Sequence, residues 1–515
     1  MKKRKKIKSR VKIHPVMTFI ILILIVIISS FVLSLLNTSS TYYSISSVNG
    51  EYISTTESVN SLLNLRGFKY IFSNTVSNFA NFTVLSHLII VLLGIGVMEY
   101  SGFLKTAVGF LTKKAKKNTT TFVIILIGIL ASIVDNMPFI AFIPLSAMIF
   151  KYGKRNPGIG IVASFASLTC GYGISLFFTG VDTSLSKITA TAAGVLFPNY
   201  NIGVFSMLFI MLVAVIILSI ALTLITENVV ARKFPKYEFE ESEVLDDEKL
   251  TKPQTKGLVL AAIGSIIYLL IFVYNIIPGL PLSGNFLNYS EILYIDKLFG
   301  ADSFFASGFV FIITILFVIW GLLYGIGAKT ITNNRQFVEG LGYSLNGIGK
   351  TLVFIFASAT FISIFKQSNI GSVVVVALSN LVSNSRFSGL PLIILLFLVT
   401  AIATLFVPST ITKWNIMASS VIPTFLNVGI SGEFTQLIFR LGESVTLGLT
   451  PLFAYYIVYL AYLEKYCQND SEISLLQASK YQLPYSLITT GLFLALIVIW
   501  YVISIPLGIS GSVSI

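Results

Sequence analysis

The chain has 515 residues, 55% of them hydrophobic and 11% charged, which excludes a water-soluble globular protein. Its formal net charge of +13 comes from basic residues clustered at the ends of apolar runs, where membrane loops carry them, so nucleic acid is not an expected partner. Two cysteines, Cys170 and Cys467, are too few for a zinc cluster and are not expected to pair.

Residues 1–16 form a basic, cytoplasmic N-terminus, with Lys2, Lys3, Arg4, Lys5, Lys6, Lys8, Arg10 and Lys12. Positive charge on that side sends the first helix, 17–36, outward as an uncleaved span. A polar outer segment, 37–78, precedes a helix at 79–103, which returns to the basic loop of Lys113, Lys114, Lys116 and Lys117. The first transmembrane half extends over 17–226. Within it, 118–150 is apolar yet bounded at both ends by cytoplasmic charge, the second cluster being Lys151, Lys154 and Arg155. Its 33 residues are too few for two crossings of about 20 residues each, so a re-entrant hairpin is expected. The tip carries Ser132, Asp135, Asn136 and Pro138, and irregular backbone at that depth needs protein or a wet cavity around it.

The next span, 158–181, is interrupted by Cys170-Gly-Tyr-Gly-Ile-Ser175 and followed by Asp182, the pattern of a broken helix. A helix at 203–225 leads to a charged cytoplasmic linker, 227–256, containing Glu238, Glu240, Glu241 and Glu243.

The second half, 257–515, repeats the plan. Helices at 257–277, 303–325 and 347–365 lead to an outer segment with Lys366, Asn369 and Arg386. A second hairpin, 389–426, is interrupted by Pro408-Ser409-Thr410-Ile-Thr412-Lys413-Trp414. A second broken helix carries Arg440, Gly442, Glu443, Ser444, Thr446, Gly448 and Pro451 and ends inside near Glu464 and Lys465; a last helix, 486–508, leaves the C-terminus outside. The expected fold is all-α and polytopic, with about nine transmembrane helices and two re-entrant hairpins entering from opposite faces as inverted repeats. Such repeats place discontinuous helices at the bilayer midplane, where substrate and coupling ions bind in secondary transporters.

An ionisable group at that depth costs about 2.5–3.5 kcal/mol even on insertion scales, so it marks a partner or a pathway. Asp135, Asp182, Lys413, Arg440 and Glu443 qualify. Arg440 and Glu443, three apart, are neighbours on a helix and form an internal ion pair, or else Arg440 clamps a substrate carboxylate while Glu443 carries an ion or proton. Gly171, Gly173, Gly442 and Gly448 permit close helix packing or open a site beside Ser175 and Ser444. Trp414 is an interfacial anchor or a stacking surface for substrate. No phosphate-binding loop or catalytic triad is present, so the protein is not expected to be an enzyme or an ATP-driven pump.

Several segments resemble the AbgT family of p-aminobenzoyl-glutamate transporters and antimetabolite exporters. They are His14-Pro-Val-Met-Thr, Gly94-Ile-Gly-Val-Met-Glu99-Tyr-Ser-Gly102, Phe142-Ile-Pro-Leu145, Thr179-Gly-Val-Asp182, Gln367-Ser-Asn-Ile-Gly371, Thr412-Lys-Trp414, Phe439-Arg-Leu-Gly-Glu-Ser-Val-Thr446 and Thr450-Pro-Leu452. The resemblance implies a homodimer in the inner (plasma) membrane, with nine helices and two hairpins per protomer, driven by a sodium or proton gradient. The family's transport-linked Asp, Trp and Pro fall on Asp182, Trp414 and Pro451. Its sodium-associated Asn and Asp fall on Thr404 and Glu443, the Asn of its first break on Ser175, and the Asp of its first hairpin tip on Asn136.

Substrate binding is therefore expected of Asn136, Gly173, Ser175, Asp182, Ser409, Lys413, Trp414, Arg440 and Pro451. Ion coupling is expected of Asp135, Thr404, Glu443, Ser444 and Thr446, with sodium on Thr404 and Glu443. Hydroxyls beside a carboxylate suit a hard cation, which favours sodium over the alternative, a proton. No resident cofactor is expected. The substrate is a small carboxylate such as an aromatic acyl-glutamate; the alternative function is a membrane assembly factor or sensor that keeps the fold without transporting.

Overall fold

The computed structural model describes residues 13–45, 52–112, 116–134, 136–176, 179–239, 250–300, 303–467 and 473–515. The chain opens with α1 (Pro15–Leu35), whose start is fixed by Pro15 in the first turn and by the His14 ring, which accepts from the Val16 amide at 3.2 Å. Strands β1 (Ser39–Ile45) and β2 (Tyr52–Ser58) pair antiparallel, and an amphipathic α2 (Leu65–Ala80) follows. This ordered hairpin and helix replace the plain polar segment expected over 37–78; the Tyr-, Ile- and Thr-rich runs that form the strands have the β-propensity that hydropathy alone overlooks.

Helices α3 (Thr83–Tyr100) and α4 (Phe103–Thr112) lead to the first hairpin. Its arms are α5 (Lys117–Leu130) and α6 (Pro138–Tyr152), separated by a 3₁₀ turn at Ala131–Val134. Asp135 lies outside the described residues. The segment folds back on itself: Arg155 donates to the Lys117 carbonyl at 3.2 Å and to Thr121 Oγ1 at 2.8 Å, so its two basic ends meet.

The first broken helix is α7 (Pro157–Cys170) and α8 (Gly180–Ala193). Then come α9 (Leu208–Ile225), α10 (Lys252–Ile276), the short α11 (Tyr294–Phe299), α12 (Phe304–Ala328), α13 (Asn334–Tyr343), α14 (Gly349–Ser368) and α15 (Ile370–Ser383). The stretch expected as an outer segment around Lys366–Arg386 is thus mostly helix; Asn369, at φ +57°, turns the chain sharply between α14 and α15. At 14 residues α15 is too short to register as a span, which is why its Val-rich sequence reads as a loop between polar flanks. Helix α10 and the last helix also start earlier than expected, at Lys252 and Leu475.

The second hairpin is α16 (Gly389–Phe406) and α17 (Thr410–Leu426), and the second broken helix is α18 (Gly432–Ser444) and α19 (Tyr456–Lys465), with a 3₁₀ turn at Leu447–Leu449 between them. The last helix is α20 (Leu475–Ile503).

Among the described residues nine helical stretches are long and apolar enough to cross a membrane, the expected number. The membership differs. The nine include the first arm of each hairpin, Lys117–Val134 and Gly389–Phe406, and omit both broken helices, whose halves are individually too short. Large apolar side chains stand exposed along α9, α10 and α20, including Ile216, Ile220, Ile266, Leu270 and Leu487, as a lipid-facing surface requires.

Helix α9 serves as a ruler for the two hairpins. Beyond its C-terminal end, Glu227 pairs with Arg155 at 2.6 Å, which ties the base of the first hairpin there. At its N-terminal end the Phe209 amide donates to the Leu507 carbonyl at 2.9 Å, and the strand-like tail continues to Val513, whose carbonyl accepts from Ser431 at 3.0 Å, just past the second hairpin. The hairpin bases therefore lie at opposite ends of an 18-residue helix, about 27 Å apart at 1.5 Å per residue. Packing is reciprocal as well. The second half of each broken helix lies against the other unit: α8 packs on α17 and α18, and α19 packs on α6 and α7. This exchange ties the two hairpin-and-broken-helix units to each other.

Candidate functional site: a buried charge cluster where the two breaks meet

Three local features bring the breaks together. Thr179 and Asp182 form a reciprocal capping box at the start of α8: Thr179 N and Oγ1 donate to Asp182 Oδ2 at 3.0 and 2.7 Å, and Asp182 N donates back to Thr179 Oγ1 at 3.1 Å. Gly173 N donates to Ser444 Oγ at 2.7 Å, and that hydroxyl donates to the Arg440 carbonyl at 2.9 Å. A Cβ at position 173 would collide with the Arg440 carbonyl, so glycine there is what allows the two backbones to touch. Ser132 of the first hairpin donates to the Ile174 carbonyl at 2.8 Å and steadies the same break.

Glu443, fully buried, is the centre of the cluster. Its Oε1 accepts from Arg440 Nη1 at 2.7 Å, while Oε2 accepts from Thr410 Oγ1 at 2.9 Å and lies 3.1 Å from Lys413 Nζ. Lys413 also donates to Thr404 Oγ1 at 2.7 Å. Arg440 sends Nη2 to the Tyr172 carbonyl at 2.8 Å, with its guanidinium 5.3 Å from the Tyr172 ring centre. Its Nε faces Asp182 Oδ1 at 3.7 Å and makes no hydrogen bond among the described residues. Two cations and two carboxylates thus balance in a setting where any unpaired charge is costly. The internal ion pair is formed, and Arg440 has a further donor, Nε, directed at Asp182.

The remaining expected residues are distributed around this centre. Trp414 is fully buried, which rules out the interfacial-anchor reading; its Nε1 donates to Thr189 Oγ1 at 2.8 Å and its ring lies 4.4 Å from that of Phe439. Ser175 and Asp182 line a cavity of about 30 Å³ with Leu176, Met211 and Gln436, room for little more than water. Asn136 Nδ2 reaches Tyr172 OH at 3.4 Å, at the edge of hydrogen-bonding range. Thr446 Oγ1 is tied to the Ala401 carbonyl at 2.6 Å. Ser409 pairs with Thr412 at 2.9 Å on an exposed edge, and Pro451 sits beyond the cluster, next to Thr450, whose hydroxyl donates to the Leu405 carbonyl at 2.8 Å.

Four contributors escaped the sequence reading as site residues: Tyr172, Thr410, Thr189 and Gln436. Thr189 Oγ1 donates to Gln436 Oε1 at 2.7 Å and so links α8 to α18 beneath Trp414. Helical spacing could have found two of them, since Thr189 stands seven residues after Asp182 and Gln436 four before Arg440. A much wider cavity, about 580 Å³, lies away from the cluster and is bordered by His14, Lys350, Tyr462, Glu464 and Lys465.

A model of the AbgT putative transporter family matches residues 9–515. The chain belongs to the AbgT family. This AbgT protein is 25% identical over 495 residues to the p-aminobenzoyl-glutamate transport protein of Escherichia coli (strain K12), covering 96% of this chain and 93% of the relative. Among solved structures it is similar to the Alcanivorax borkumensis YdaH transporter, at 24% identity over 96% of this chain and 100% of the other, with a TM-score of 0.47. It is similar also to Neisseria gonorrhoeae MtrF, described as illuminating a class of antimetabolite efflux pumps, at 27% identity over 98% of both chains and the same TM-score of 0.47. As an AbgT protein it is a multi-pass membrane transporter rather than an enzyme.

Proposed function

We propose that the protein is a secondary active transporter, in the plasma membrane and as a homodimer, of a small carboxylate of the p-aminobenzoyl-glutamate type. An ion gradient, of sodium or protons, drives it. The observation that carries this reading is the Arg440 Nε, buried, without a hydrogen bond among the described residues and directed at Asp182 beside the small cavity. A substrate carboxylate arriving there competes with Asp182 for a guanidinium already oriented by Glu443 and Tyr172, and a charge-assisted bond to a preset donor gives affinity and selectivity for anions. The cavity is too small for such a substrate in this conformation, so binding requires α8 and the start of α9 to part.

Counterflow of labelled p-aminobenzoyl-glutamate in proteoliposomes tests the proposal. Label should accumulate in vesicles preloaded with unlabelled compound, and Arg440→Lys should weaken accumulation. Absence of counterflow for this compound and for related acyl-glutamates, from protein that is demonstrably folded, would favour the assembly-factor alternative.

A further inference from the structure

Thr404 and Glu443, the two residues expected to share a sodium ion, are bridged instead by an ammonium group. Lys413 Nζ stands 2.7 Å from Thr404 Oγ1 and 3.1 Å from Glu443 Oε2, on a side chain with no exposed surface. Sodium binds through oxygen lone pairs that converge on it, and here the lone pairs that Thr404 and Glu443 turn toward each other already meet the Lys413 ammonium. Glu443 Oε1 holds Arg440, and Oε2 holds Thr410 and Lys413. The Thr404 hydroxyl gives its proton to the Thr400 carbonyl at 2.8 Å and turns its lone pair to Lys413. Of the two hydroxyls expected to complete the shell, that of Ser444 accepts from the Gly173 amide at 2.7 Å, and that of Thr446 is held at the Ala401 carbonyl at 2.6 Å. A metal ion between Thr404 and Glu443 would also meet the Lys413 ammonium at contact distance with the Arg440 guanidinium on the other carboxylate oxygen, and like charges that close repel strongly where water is excluded. The residues present do not fit sodium at this place.

We propose that the Lys413 ammonium takes the place of the coupling-site sodium, as a cation tethered to the tip of the second hairpin. The wild-type protein then has no saturable sodium site between Thr404 and Glu443. This rests on the transporter reading only in naming the cluster a coupling site; the cation exchange itself is a property of the folded protein. Removing the tethered charge while keeping Glu443 leaves a buried carboxylate with hydroxyls around it and space for a small cation, so the site should become a sodium site.

The test is equilibrium binding of radiolabelled sodium to the purified full-length protein at constant ionic strength, with choline as the balancing cation, together with Tm in the same solutions. Wild type should show no saturable sodium binding, and no sodium-specific rise in Tm, that Glu443→Gln removes. Lys413→Met should gain both, and Lys413→Met with Glu443→Gln should lose them again. Saturable binding by wild type that disappears in Glu443→Gln overturns the proposal, as does a folded Lys413→Met that takes up no sodium. Should Lys413→Met not survive purification, wild type decides alone, because a sodium-specific rise in its Tm that Glu443→Gln abolishes would overturn the proposal and an unchanged Tm is what it requires. None of these readouts involves transport, so a failure of counterflow counts against the proposed function and not against the tethered cation.

Discussion

Arg440 Nε and Asp182 Oδ1 face each other across 3.7 Å, an ion pair without a hydrogen bond, while the other carboxylate oxygen of Asp182 is held by the cap of its own helix. One side chain thus fixes the start of α8 and sets the potential at the Arg440 guanidinium. The two duties separate by substitution. Asp182→Asn retains a carbonyl oxygen for the cap but leaves the cluster one negative charge short, so Tm should fall moderately while affinity for p-aminobenzoyl-glutamate changes. Asp182→Ala loses the cap too and should cost about 1 kcal/mol of stability in addition. Thermal unfolding in detergent beside substrate titration distinguishes them; identical behaviour of the two variants would contradict the separation.

Arg440→Ala leaves Glu443 with Lys413 as its one ionic partner and strips the Tyr172 carbonyl of its donor. Breaking a buried pair by removing one member costs about 3–5 kcal/mol, so a marked fall in Tm is expected along with loss of substrate binding. Combining Arg440→Ala with Asp182→Asn lowers the uncompensated negative charge and should recover part of the Tm but none of the binding. Recovery of binding in the double variant would show that Arg440 is purely structural.

For Trp414 the expectation is packing and positioning. Trp414→Phe keeps a ring against Phe439 but removes the Nε1 bond to Thr189, leaving the Thr189–Gln436 link without its cover; a loss of about 1 kcal/mol is expected from the missing hydrogen bond. Tm measurement checks the figure. A variant indistinguishable from wild type in both stability and substrate affinity would remove Trp414 from the site.

Topology is open to direct labelling. Single cysteines introduced at positions 115 and 153, in a background lacking Cys170 and Cys467, should react with an impermeant maleimide from the same face, because Arg155 reaches the Lys117 carbonyl. Reaction from opposite faces would eliminate the first re-entrant hairpin.

Much of this architecture was legible in the sequence because charge and length are strong constraints in lipid. Segment 118–150 announces a hairpin through basic residues at both ends and too few residues between them; Asp182, Lys413, Arg440 and Glu443 announce themselves by being ionisable where ionisable groups are expensive. What stayed hidden depended on contacts distant in sequence. Nothing local indicates that Lys413 and Arg440 share one carboxylate, since position 413 reaches 443 only after α17 has run out and α18 has returned. Short or amphipathic elements were hidden for another reason: β1, β2, α2 and α15 lack the long uniform apolarity that marks a membrane span.

The reciprocal packing of the repeats limits how the molecule can move. Helices α8 and α19 are each lodged in the opposite unit, so the two repeats are interlocked and cannot be drawn apart without tearing the charge cluster between them. The interlocked core is therefore expected to move as one piece against the surrounding helices, among them α9, which borders α8 at the small cavity, and α14, which packs on α19. A covalent cross-link between α8 and α17 should leave counterflow intact, whereas one between α14 and α19 should arrest it; the reverse outcome would place the moving joint inside the core.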